Sequence, residues 1–194
     1  MTEVVPRADA GQPDALTLTL AALHEYEARL CEGFSLGGAA RWRRAATLAS
    51  VVPADAFLRP PARVCVASPA RRRQLLALRA LFARRSAVRR CIDRAGLSAM
   101  GVAVGGSSVL TLLRGAAAED GETVLALPPA LEADALARDG LARLLAGEPA
   151  AAALATLAGY PGNERHPERL ALDHTQAENT RFFFRLSQWM PEWT

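Results

Sequence analysis

Over most of this chain the apolar positions recur at steps of three and four, the spacing of one face of an α-helix. In 14–33, DALTLTLAALHEYEARLCEG, Leu16, Leu20, Leu23, Tyr26 and Leu30 line one side, Asp14 can cap the start and Gly33 can end it. The next run, SLGGAARWRRAATLASVV, predicts a shorter helix with Trp42, Ala45, Ala46 and Ala49 inward, stopped by Pro53. PADAFLRPPARVCVASP reads as loop, because prolines at this density forbid long regular structure, with RVCV a candidate extended segment.

The strongest punctuation surrounds 69–95. Ser68 suits an N-cap, Pro69 sits where a missing N–H costs nothing, and Gly96 is a natural stop. Leu75, Leu78, Phe82, Val88, Cys91 and Ile92 form the expected inner stripe. Burying such side chains stabilises by roughly 1.5–3 kcal/mol each, so this is expected to be a core helix. Its nine arginines, from RRRQLLALRALFARRSAVRRCIDR, are assigned to the solvated face, Arg85 among them.

Downstream, Ser107 or Ser108 can cap Val109–Leu113. Pro129 can open a helix carrying Leu131, Leu136, Leu141, Leu144 and Leu145, with Gly140 its weak point. EPAAAALATLAGYPGN predicts a short Ala-rich helix. Pro167 can start a long last one with Leu170, Ala177, Phe184 and Trp189 on one side. GETVLAL is the other strand candidate. The expected fold is mainly α: a single compact helical domain of seven or eight helices over 14–194, behind a disordered lead at 1–13, with at most a minor β element.

Charge changes this picture in one place. All 23 basic residues are arginine, and the formal net charge is only +3. Residues 1–40 and 97–194 are net acidic, whereas 41–96 hold most of the arginines and only Asp55 and Asp93 against them. A basic middle between acidic ends can satisfy itself internally or offer a positive surface to an acidic partner. The opening residues lack the basic start and apolar middle of a signal peptide, and no apolar run is long enough for a transmembrane helix, so a cytoplasmic location is expected.

Candidate chemistry is sparse. Cys31, Cys65 and Cys91 lie far apart and form no CxxC, which suggests neither a disulfide framework nor a zinc site. His166 and His174 are eight apart, more than two helical turns, too far to share a metal unaided. GFSLGG and GVAVGGSS lack the GK[ST] of a phosphate loop, and GxSxG is absent. No catalytic constellation, metal or cofactor is expected.

Two features remain as candidate docking groups. Arg84, Arg85, Arg89 and Arg90 are helical neighbours that could meet acids on a partner or track phosphates. No aromatic lies among them to stack bases, which favours a protein over nucleic acid. The end, RFFFRLSQWMPEWT, is aromatic over an arc too wide for one core stripe. It makes Phe183, Trp189 and Trp193 candidate contacts, set against the plainer role of closing the core.

The run Leu76–Leu113, LALRALFARRSAVRRCIDRAGLSAMGVAVGGSSVLTLL, resembles the middle of the SctK (YscK-like) accessory proteins of bacterial type III secretion systems. The shared pattern is a Leu-rich helix, then Arg89-Arg90-Cys91-Ile92, a short apolar spacer and a second apolar helix. YEARL at Tyr26–Leu30 and the aromatic end also suit that family. Arg85 stands where a small or polar residue would serve equally. The resemblance implies a non-enzymatic sorting-platform component with a part in virulence, cytoplasmic at the face of the inner membrane. It would join the cytosolic domain of the ring protein SctD to the SctQ pods and, through them, to the SctL–SctN ATPase, with no cofactor. The alternative is a small helical nucleic-acid-binding or regulatory protein using the Arg71–Arg94 helix.

Overall fold

A computed structural model describes residues 59–116, 124–146, 148, 151 and 172–190, together with His24. The lead at 1–13, the two helices expected before Pro53, Leu170 and Trp193 lie outside the described residues. Within them run seven helices and no strand: α1 Pro60–Val66, α2 Pro69–Phe82, α3 Arg85–Arg90, α4 Arg94–Ala103, α5 Ser107–Gly115, α6 Ala133–Leu145 and α7 Leu172–Trp189. The mainly helical class holds. RVCV is helical, inside α1, where Pro60 and Pro61 occupy the first turn instead of preventing it. Residues 124–127 of GETVLAL carry no strand.

α2 is the axle of the fold. Leu75, Leu76, Ala77, Leu78, Ala80, Leu81 and Phe82 are all buried, so apolar contact surrounds it instead of lying along a single stripe. Its most extensive partner is α6, which buries Leu136, Ala137, Leu141, Leu144 and Leu145. The crossing is close enough that a Cβ built on Gly140 would overlap the carbonyl oxygen of Leu76. Gly140 is therefore the seam of the helix pair.

The single helix expected over 69–95 is three pieces. Its start is as expected, with Ser68 before Pro69, although the Ser68 hydroxyl makes no capping hydrogen bond. The first break is at Ala83–Arg84, where Arg84 has φ −114° and ψ 21°. Phe82 and Val88, both buried, are six residues apart, a step that fits no helical face. The break lets each point inward. The second break is at Cys91–Asp93, with Cys91 and Asp93 extended. Asp93 then caps α4, its carboxylate accepting from the N–H groups of Ala95 and Gly96 at 3.2 and 2.8 Å. Gly96 is thus inside a helix and ends nothing. Ile92, expected in the core, is 91% exposed, because the extended linker throws it outward.

α4 and α5 meet at 108° across Gly105 and Gly106, whose φ values of 87° and 153° exclude most side chains. Gly106 is the N-cap of α5, and Ser107 and Ser108 are its first two helical residues. α6 begins at Ala133, four residues beyond the expected opening at Pro129. α7 buries Asn179, Phe182 and Leu186, and Met190 just beyond its end continues the same steps of three and four, while Ala177 is exposed and Phe184 is 62% exposed. The expected face of this helix was rotated: the phenylalanine that enters the core is Phe182.

Candidate functional site

The candidate arginines separate into two groups. Arg84 and Arg85 are inside the protein, and their assignment to a solvated face is corrected here. Arg84 stands at the break between α2 and α3 with its guanidinium turned inward. It makes a bidentate pair with Asp139 of α6 at 2.6 and 3.0 Å and donates to the carbonyls of Ala80 and Ala126. Arg143 donates to the same carboxylate at 2.9 Å. The burial of Asp139 works against its charge. The hydrogen bonds and positive fields of Arg84 and Arg143 prevail and hold its carboxyl below the ordinary value. Arg85 donates to the carbonyl of Phe82, lies 3.7 Å from Glu178 and stands 4.6 Å over the Phe82 ring.

Arg79, in the last turn of α2, is fully buried. Its Nε donates to Asn179 Oδ1 at 2.7 Å and its Nη2 to Glu178 at 3.0 Å, while Nη1 has no partner. Burial pushes this guanidinium below its ordinary value, against the pull of Glu178. Asn179 also donates to the carbonyls of Arg143 and Leu144, close to the end of α6. Around these groups Phe82 packs edge-on against Phe182 and Trp189, with centroids at 5.5 and 6.2 Å, and Phe183 packs edge-on against Phe182. Phe183 and Trp189 are half-buried parts of this joint between α2 and α7. With Arg72, Arg79, Arg84 and Arg85 buried, the arginines of 71–94 form no continuous phosphate-tracking stripe.

Arg89 and Arg90 remain at the surface, and the fold brings other groups to them. Arg89 is half-buried and donates to the carbonyl of Ala116 at 3.1 Å; Arg90 is exposed. Arg114 of α5 is exposed and donates to the carbonyl of Cys91 at 3.3 Å, which ties the end of α5 to the linker. Arg94 is exposed in the first turn of α4. Ile92 lies between Arg90 and Arg94 along the chain, next to the Cys91 carbonyl that Arg114 holds. Sequence reading missed Arg94 and Arg114 as companions of Arg89 and Arg90. The available signal was Asp93, a cap residue that makes the helix restart there and leaves Ile92 between two helix ends.

Cys65 is buried and Cys91 half-buried, and among the described residues no group of three His, Cys, Asp or Glu is placed to hold a metal ion. Among the same residues no single helix is long and apolar enough to cross a membrane.

No curated protein and no solved structure matches the chain significantly. A family model described as bacterial type III secretion protein (HrpB4) matches residues 33–192, well over half of the chain and including every helix described above. The resemblance to SctK-like accessory proteins, carried by the run around Arg89–Ile92, agrees with that match, and the chain belongs to the HrpB4 family of bacterial type III secretion proteins.

Proposed function

We propose that this protein is a non-enzymatic adaptor of a type III secretion sorting platform, cytoplasmic and held at the inner membrane by its partners. In this reading it joins the cytosolic domain of SctD to the SctQ pods, and through the pods it acts on the SctL–SctN ATPase. The family match over 33–192 carries the reading. The charge chemistry of the helical body supports it. Arg84, Arg143 and Asp139 bind α2 to α6, and Arg79, Glu178 and Asn179 bind α2 to α7. These polar groups are committed to holding helices together, as suits a rigid spacer.

The test is deletion of the gene in a secreting strain that carries fluorescent SctQ. The expected result is loss of export and of SctQ foci at the membrane, both restored by the wild-type chain. Normal export, or normal SctQ foci with export lost, would refute the linking role. Purified chain should also retain SctQ or the SctD domain on a column.

A further inference from the structure

We propose that Ile92, with Arg90, Arg94 and Arg114 around it, is a docking knob for an acid-rimmed apolar pocket on a protein partner. The inference rests on the adaptor reading and adds to it the surface and the chemistry of its occupant.

The first observation is exposure where packing gives no reason for it. Ile92 is 91% exposed, the highest value among the exposed large hydrophobic side chains of the described residues. Scattered apolar side chains are ordinary on a surface, but this one is presented on a fixed support. The linker 91–93 is three residues long. Val88 O accepts from the Cys91 N–H at 3.3 Å, the Asp93 carboxylate holds the two N–H groups that follow, and Arg114 holds the Cys91 carbonyl. A side chain carried on a main chain already held in place loses less freedom on binding.

The second observation is charge. Arg90, Arg94 and Arg114 are exposed, and Arg89 reaches the same region from the last turn of α3. The acid of the group, Asp93, spends its carboxylate on the α4 cap. Arg94 also sits at a helix N-terminus, where a cation meets the positive end of the dipole and gains nothing locally. The patch is an apolar centre with a cationic rim, the arrangement of a protein interface whose rim steers and whose centre holds. Its complement is an apolar pocket edged with Asp or Glu. A phosphate backbone matches the rim but gives nothing to an aliphatic centre, and among the described residues no aromatic lies within the run Arg89–Arg94 for a base to stack on.

The experiment uses the full chain as wild type, I92S, and the double variant R90E/R94E, in two arms. In the first, each is titrated into purified SctD cytosolic domain and purified SctQ at 50 and at 300 mM salt. One of these should bind the wild type, more weakly at the higher salt. I92S and R90E/R94E should each lose about tenfold or more in affinity, with melting temperatures equal to wild type. In the second, the same variants complement the deletion strain, and only the wild type should restore export. If neither purified protein binds the wild type, the adaptor reading fails as stated. The knob is then judged by the second arm alone: lost export with I92S supports it. Equal binding and equal export by I92S would overturn the proposal. So would binding of a mixed-sequence DNA duplex at 150 mM salt that R90E/R94E abolishes, or a self-association of the chain that I92S abolishes, because each names a different occupant.

Discussion

Removing Glu178 should damage the protein far more than a half-exposed surface acid normally would. Arg79 is fully buried between α2 and α7; Glu178 is its ion-pair partner, Asn179 its other side-chain acceptor, and its Nη1 is unsatisfied. Glu178→Ala leaves that cation buried with one neutral acceptor. Breaking a buried pair from one side costs about 3–5 kcal/mol, a large share of a total stability of about 5–15 kcal/mol. At about 2–4 °C per kcal/mol for a chain of this size, the melting temperature should fall by roughly 6–20 °C. The double variant Arg79→Met, Glu178→Met removes both charges and keeps the volume. Such replacements range from neutral to stabilising by about 1–4 kcal/mol, so it should melt at or above wild type. The assay is urea unfolding of wild type, the two single variants and the double variant, followed by circular dichroism. A small loss in Glu178→Ala, or losses that simply add in the double variant, would show that Arg79 and Glu178 are not energetically coupled.

Three further outcomes follow from the same contacts. The folded Asp139 carboxyl titrates below its ordinary value of 3.8, so its contribution is complete above that pH and is lost as pH falls through the lower folded value; Asp139→Asn should cost ~2 kcal/mol at pH 7 and flatten the acid limb of stability below about pH 4, as measured by urea midpoints against pH. Gly140→Ala, which raises helix propensity, should nonetheless destabilise by roughly 1–3 kcal/mol, because the added carbon meets the Leu76 carbonyl; a rise in melting temperature would show that α2 and α6 separate freely. Leu78→Asp should unfold the protein and Arg85→Glu should weaken it by placing a second carboxylate beside Glu178, whereas Ile92→Asp should melt as wild type; circular dichroism melts of the three decide it.

The helical class and the start of α2 were legible because they depend on local rules: apolar spacing, and a proline behind a serine. The leucines of α6 were legible for the same reason. The inward arginines were not. Arg79 and Arg84 find their carboxylates at separations of 99 and 55 residues, on helices whose packing no local pattern encodes. Counting arginine as a surface residue then moved Arg84 and Arg85 outward and Ile92 inward, since one unbroken helix cannot satisfy Leu81, Phe82 and Val88 together. On α7 three consecutive phenylalanines offered three possible faces, and periodicity alone chose Phe184. The buried Asn179, in register with Phe182 and Leu186, would have corrected that choice, but a polar residue does not announce itself as core. Of the candidate docking groups, Arg89 and Arg90 were named from helical spacing. Arg94 and Arg114 enter only because the chain turns at Cys91–Asp93 and again at Gly105–Gly106.

The contact at Gly140 also limits how the protein can change. Most tight packing can be relieved by a second substitution, because the obstructing atoms belong to a side chain that can be made smaller. Here the obstructing atom is the main-chain oxygen of Leu76, which every amino acid at that position would carry. No replacement of Leu76 restores room for a larger residue at 140, so intragenic suppressors of a Gly140 variant should never arise by trimming position 76. They have to act through the spacing of α2 and α6, at other buried positions of the two helices such as Ala80 and Ala137, or through stability gained elsewhere. Glycine 140 is thus a position without a compensating partner, and drift there leads to loss of the joint instead of its repair.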